Sequence, residues 1–163
     1  MGLIDKIKGL FHSSKKVWSE EEIFSVLNAL RGETQDLMMT ASVTDLEAKE
    51  YFAAKAKVLT EKINNAIEES SIARDTFKDI YEDVERDDDY RDEVIYHESE
   101  DVYDGIVNDC YTRYKNTERA VEQMVGLEQQ VHQLRVHFIG EAAVKKEDAV
   151  MADKTQEEPQ QAK

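Results

Sequence analysis

Four histidines, one cysteine and a dense run of carboxylates are the residues of this 163-residue chain best suited to chemistry. Glu93 with His97 and Glu128 with His132 stand four apart. That spacing sets both side chains on one helix face, where they could hold a divalent metal or simply touch along the helix. Two-metal sites in helical bundles use Glu-x-x-His, whereas Val94, Gln129 and Leu134 stand three residues before His97, His132 and His137. The run Asp87, Asp88, Asp89, Tyr90, Arg91, Asp92, Glu93 suggests calcium, but it lacks the spaced ligands and central glycine of an EF-hand loop. Cys110 is alone, so it closes no intramolecular disulfide and anchors no cysteine zinc site. Glycine-rich phosphate loops, nucleophile elbows and paired-histidine zinc motifs are missing from the sequence. The expectation is a protein that is not an enzyme, with no catalytic residue, cofactor or bound metal.

The carboxylates belong to long helical patterns. From Phe52 to Val84, alternating steps of four and three select Phe52, Ala56, Leu59, Ile63, Ala66, Ser70, Ala73, Phe77, Ile80 and Val84, apolar throughout except at Ser70. Such a heptad stripe specifies contact with a partner helix. A second stripe runs through Tyr103, Ile106, Cys110, Arg113, Thr117, Ala120, Met124, Leu127, Val131, Leu134 and Phe138. Between them lie thirteen carboxylates over residues 79–104, against Arg86 and Arg91. Three consecutive aspartates are poor helix-interior residues, which predicts a turn near 87–91. Reversal there would pair Phe52 with Leu127, Ala56 with Met124, Leu59 with Ala120, Ala66 with Arg113, Ser70 with Cys110 and Ala73 with Ile106, mostly large against small, and would set Phe77 against Tyr103, two large rings that must stack or splay. On that register Arg113 would snorkel from the seam towards Glu69 or Asp109.

Upstream, Ser19 and Glu22 form a capping box, with Trp18 and Ile23 as the flanking staple. The helix they start presents Ile23, Phe24, Leu27 and Leu30 and is expected to stop at Arg31-Gly32. A short helix with Leu37, Met38 and Met39 follows, the methionines forming an adaptable binding surface or, as is commoner, filling gaps in the core. Thr44 and Glu47 then form a second capping box for the long helix. The predicted fold is all-α: an elongated antiparallel helical hairpin, a coiled coil, with short N-terminal helices packed at its base. Its parts are an amphipathic helix and linker over 1–16, the hairpin over 17–140, and a disordered polar tail over 141–163.

With 35% charged residues and a net charge of −15, the chain is not expected to bind nucleic acid directly, since phosphate neutralisation needs clustered Lys and Arg. The charge is uneven. Lys6, Lys8, Lys15 and Lys16 against Asp5 give the first 16 residues +3 and leave −18 on the rest. Leu3, Ile4, Ile7, Leu10 and Phe11 recur at helical spacing beside Lys6 and Lys8, so this segment could lie on an anionic membrane surface or dock on the protein. An acidic tip of Asp87, Asp88, Asp89, Asp92 and Glu93 is either solvated or a contact for a basic protein. Val107, Tyr111, Tyr114, Val121 and Val125 form a further stripe beside the second seam, expected to associate with earlier helices or with another copy. The function expected is a helical scaffold or adaptor that self-associates or holds another helical protein, cytoplasmic and peripherally membrane-associated. The alternative is an acidic inhibitor or decoy occupying a basic groove.

Overall fold

The structure, a computed structural model, describes residues 17–40 and 46–161, with side chains left undescribed at 46–49, 142 and 153–161. The described chain is all-α: α1 (Glu20–Thr40), α2 (Leu46–Arg86), α3 (Asp88–His97), α4 (Glu100–Ile139) and α5 (Glu141–Gln161). The 1–16 segment and Thr44 of the second capping box lie outside the described residues.

Helix α1 starts where its cap predicts. The Ser19 hydroxyl oxygen accepts a hydrogen bond from the Glu22 N–H at 3.1 Å, and Glu20, Glu21 and Glu22 place negative charge on the positive end of the helix dipole. It does not stop at Gly32. Ile23, Leu27, Leu30, Thr34 and Leu37 are all buried, a seam with the same steps of four and three that carries the helix through the glycine. A mid-helix Gly costs about 1 kcal/mol, and burying a leucine such as Leu37 contributes about 2 kcal/mol in the other direction. Phe24, expected on the inner face, is exposed, as are Met38 and Met39, which therefore fill no gap in the core.

Every residue of the first seam, Phe52 through Val84, is buried on α2. Hydroxyl groups buried on α1 and α2 find partners inside. Ser70 donates to Met124 Sδ at 3.4 Å, while Thr34 and Thr60 donate to the carbonyls of Leu30 and Ala56 one turn back.

The chain divides into two compact units, one built from residues up to Ala29 with Asn64–Val125, the other from Leu30–Ile63 with Gly126–Lys163. In the first, α2 and α4 meet through Ser70–Met124, Phe77–Arg113, Tyr81–Tyr111 and Val84–Tyr103. Numbers fall on α2 as they rise on α4, so the contacts run antiparallel. Their register differs from the predicted one. Ser70 meets Met124 rather than Cys110, and Tyr103 meets Val84 rather than Phe77. The cause is at the reversal: the acidic run is a helix rather than a tight turn. Asp87 leaves the helical region (φ −81°, ψ 95°) and its carboxylate accepts from the Tyr90 N–H at 3.0 Å, starting the ten-residue α3. A second break follows at Glu98–Ser99, where the Ser99 hydroxyl oxygen accepts from the Val102 N–H. The inserted helix moves the partners two to four turns along α4.

In the second unit, Phe52 on α2 and Phe138 on α4 pack with ring centroids 4.4 Å apart. The disordered tail expected after Gly140 is replaced by α5. Gly140 adopts φ +87°, a conformation open to glycine, and the chain changes direction there. Beyond it Val144 is fully buried, and Arg135, only 1% exposed, donates from Nη2 to Glu147 Oε2 at 2.8 Å and from Nη1 to Asp148 Oδ1 at 3.0 Å. Among the described residues, Arg135 Nε is buried with no hydrogen-bond partner. Burial alone would weaken the guanidinium's hold on its proton, but the two carboxylates outweigh it and push its pKa up.

Candidate interaction surface

A concave surface lies within the second unit, between the last turns of α1 and the first half of α2. It is an open groove of about 510 Å³ lined by Glu33, Asp36 and Leu37 from α1 and by Tyr51, Ala54, Lys55, Val58, Leu59 and Lys62 from α2. Its geometry follows from the seams. Leu37 and Leu59 belong to the buried stripes and form the floor, while Tyr51, Lys55, Val58 and Lys62, again at steps of four and three, form the next stripe round α2 and stand on its wall. Tyr51 is 58% and Val58 52% exposed, so the wall is apolar and open to solvent. Glu33 pairs with Lys62 at 3.0 Å, and the Lys55 ammonium lies 4.9 Å from the Tyr51 ring centroid. Both interactions are exposed and worth well under about 1 kcal/mol. Two carboxylates and two ammonium groups balance on the rim of a chain that is otherwise strongly acidic.

At the other end of α2, Asp88, Asp89, Asp92 and Glu93 are exposed, whereas Asp87 is half-buried in its cap. The tip is thus an ordered helix rather than a loose acidic loop. Its base is pinned by Tyr90, which is buried, and by Tyr103, whose hydroxyl donates to the Val84 carbonyl at 3.1 Å and whose ring lies 5.8 Å from the Arg91 guanidinium. Burial pushes both phenols above their ordinary pKa, with Arg91 opposing the shift at Tyr103. Tyr96 projects from the same helix, 85% exposed, its ring edge-on to His97.

The expected association stripe is divided. Val121 is buried, Val107 and Tyr114 are half-buried, and Tyr111 and Val125 are exposed. Tyr111 packs its ring 5.3 Å from Tyr81. Tyr114 hydrogen-bonds Glu118, which raises the phenol's pKa and lowers the carboxyl's. Arg113 leaves the seam for solvent and lays its guanidinium 5.8 Å from the Phe77 ring centroid, snorkelling onto an aromatic face rather than to Glu69 or Asp109. Cys110 is a half-buried free thiol whose pKa burial pushes up, against the pull of Arg113. His97, His132 and His137 are exposed. Among the described residues, no three His, Cys, Asp or Glu side chains come together as a metal site, and no helix is long and apolar enough to cross a membrane. The membrane or partner contact expected of Leu3, Ile4, Lys6, Ile7, Lys8, Leu10 and Phe11 lies outside the described residues.

The groove and Arg135 were the features least visible in the sequence. The groove could have been found by carrying the α1 seam past Gly32 to Thr34 and Leu37, then noting the 51, 55, 58, 62 stripe beside the main one. Arg135 sits four residues after Val131, a step the expected seam spent on Leu134. Compared with protein-family models, with curated proteins and with solved structures, the chain matches none.

Proposed function

We propose that this chain is a helical scaffold or adaptor without catalytic activity, an antiparallel coiled-coil hairpin that associates with copies of itself or with another helical protein. The observation that carries this reading is the groove beside Leu37, Tyr51 and Val58: an apolar surface that packing among the described residues leaves uncovered, with a balanced rim of charge. Exposed apolar faces of this kind on helical hairpins mark association sites more readily than substrate pockets. The amphipathic segment from Leu3 to Phe11, with Lys6 and Lys8, is proposed to bring the chain to an anionic membrane surface in the cytoplasm.

A second reading draws on the tip. Exposed Asp88, Asp89, Asp92 and Glu93 on an ordered helix suit an acidic inhibitor or decoy for a basic protein.

Size-exclusion chromatography with light scattering, run with and without anionic vesicles, tests the scaffold reading. The parent chain should exceed the monomer mass, and Tyr51→Glu with Val58→Glu should return it to monomer with its helix content intact. Deletion of residues 2–11 should abolish vesicle co-elution. A parent chain that stays monomeric and ignores vesicles would reject self-association and the membrane contact, and a pull-down through the acidic tip would then test the acidic-inhibitor reading.

A further inference from the structure

Resting on the part of that reading in which the chain holds another helical protein, we infer that the face of α4 around Arg135 is a docking site for an acidic helix of a partner, and that α5 is a strap which fills the site until the partner arrives. What the site accepts is shown by what sits against it. Helix α5 buries one apolar side chain, Val144, and three and four residues later sets Glu147 and Asp148 on the buried guanidinium. Residues at that spacing share one face of a helix. A partner helix with the same order, an apolar residue and then two carboxylates one turn on, presents the same chemistry to Arg135.

Helix α5 does not use everything the guanidinium offers. Nη1 donates to Asp148 and Nη2 to Glu147, while Nε, in a side chain only 1% exposed, has no partner among the described residues. The Nε–H and one Nη2–H of an arginine point the same way, so a carboxylate lying square to that edge takes both. Glu147 bonds the Nη2 half of the edge alone. A buried donor left unmet is costly, and a partner carboxylate that meets it holds an advantage over α5 at the same place. The strap is also lightly held. Among its described side chains Val144 is fully buried, Glu147, Asp148 and Met151 are half-buried and the others are exposed, whereas α2 buries every residue of its seam. It joins α4 through Gly140, so it can leave as one piece with α4 intact.

The test uses the full-length chain and, standing in for the partner, a peptide with the α5 sequence, Glu141–Gln161. The reporter is the Arg135 Nε–H resonance in heteronuclear NMR. Glu147→Lys with Asp148→Lys turns the strap's charge against Arg135 and frees the site, and the resonance of this variant should shift as the peptide is raised to millimolar concentration. The parent should need about tenfold more peptide for the same shift, because α5 holds its site most of the time. A peptide carrying E147Q and D148Q should leave the resonance unmoved. No shift in the opened variant, or an equal shift with the E147Q and D148Q peptide, would overturn the docking site; parent and opened variant titrating alike would overturn the strap. Amide exchange on the parent gives a reading that does not depend on how the variant folds. The peptide should speed exchange of the α5 amides by about twofold or more and leave those of α4 unchanged, and α5 amides unaffected by peptide would overturn the proposal. Self-association is read separately, from the mass of the parent, so failure here removes this site and leaves that reading to its own test.

Discussion

Replacing Glu147 and Asp148 together by alanine would leave the Arg135 guanidinium buried without a counter-charge, while replacing Arg135 by methionine would remove the buried charge itself. The two perturbations touch the same contact and should differ greatly in effect. Breaking a fully buried ion pair by removing one side costs about 3–5 kcal/mol. Here the arginine is 1% exposed but its partners are 33% and 43% exposed, so water screens the pair and a loss of about 1–3 kcal/mol is expected for the double alanine variant. With a urea slope of about 2 kcal/mol per molar, its midpoint should fall by about 0.5–1.5 M. Arg135→Met keeps the aliphatic bulk and removes both the desolvated charge and the unpartnered Nε. It should lie within about 1 kcal/mol of the parent, or be more stable. Urea unfolding followed by circular dichroism measures both, and limited proteolysis should cut the double alanine variant first within α5, the element released. An Arg135→Met variant as unstable as the double alanine one, or a double alanine variant indistinguishable from the parent, would refute the view that this ion pair secures α5.

Two further outcomes are expected. Asp87→Ala removes the carboxylate that accepts from the Tyr90 N–H and should cost about 0.5–2 kcal/mol in urea unfolding, whereas Asp89→Ala, exposed in the same turn, should cost well under that. The phenols of Tyr90 and Tyr103 are raised above 10.0 in the folded chain, so the unfolded chain loses these protons first as the pH rises. Their contribution to stability is therefore complete below about pH 10 and is lost as the pH climbs through the folded values. In a tyrosinate absorbance titration, Tyr90→Phe should remove signal from the late, alkaline part of the curve; removal from the early part would contradict the burial of that ring.

Heptad spacing made the α2 stripe legible residue by residue, because one buried line on one helix is a local property that does not depend on which partner covers it. The same spacing could not fix the partner. Moving one helix along another by a whole heptad returns the same face, so the Ser70–Cys110 and Ser70–Met124 pairings satisfy the pattern equally well, and only the length of the reversal decides between them. That length was misread because Asp87, Asp88 and Asp89 are poor in a helix interior yet well suited to a cap and first turn. Helix α5 was missed for a related reason. Among its described residues one valine, Val144, is fully buried and two carboxylates, Glu147 and Asp148, meet a buried arginine, too little apolar periodicity to register as a face. At the groove, exposure of Tyr51 and Val58 depends on where α1 ends, and the continuation through Gly32 became visible only with the burial of Thr34 and Leu37.

Gly140 carries a consequence for motion. With φ +87°, it is all that separates a 40-residue helix from a 21-residue one. Had it been alanine, the left-handed conformation would cost about 1–2 kcal/mol, and continuing the helix straight through would become easier by about 1 kcal/mol. That swing is similar in size to what the Arg135 ion pair is expected to contribute. In the protein itself glycine adopts the bend without that cost, and the buried Val144 and the Arg135 ion pair hold α5 in place. Replacing Gly140 by alanine should therefore tilt the junction towards a continuous helix, against the pull of the Arg135 ion pair.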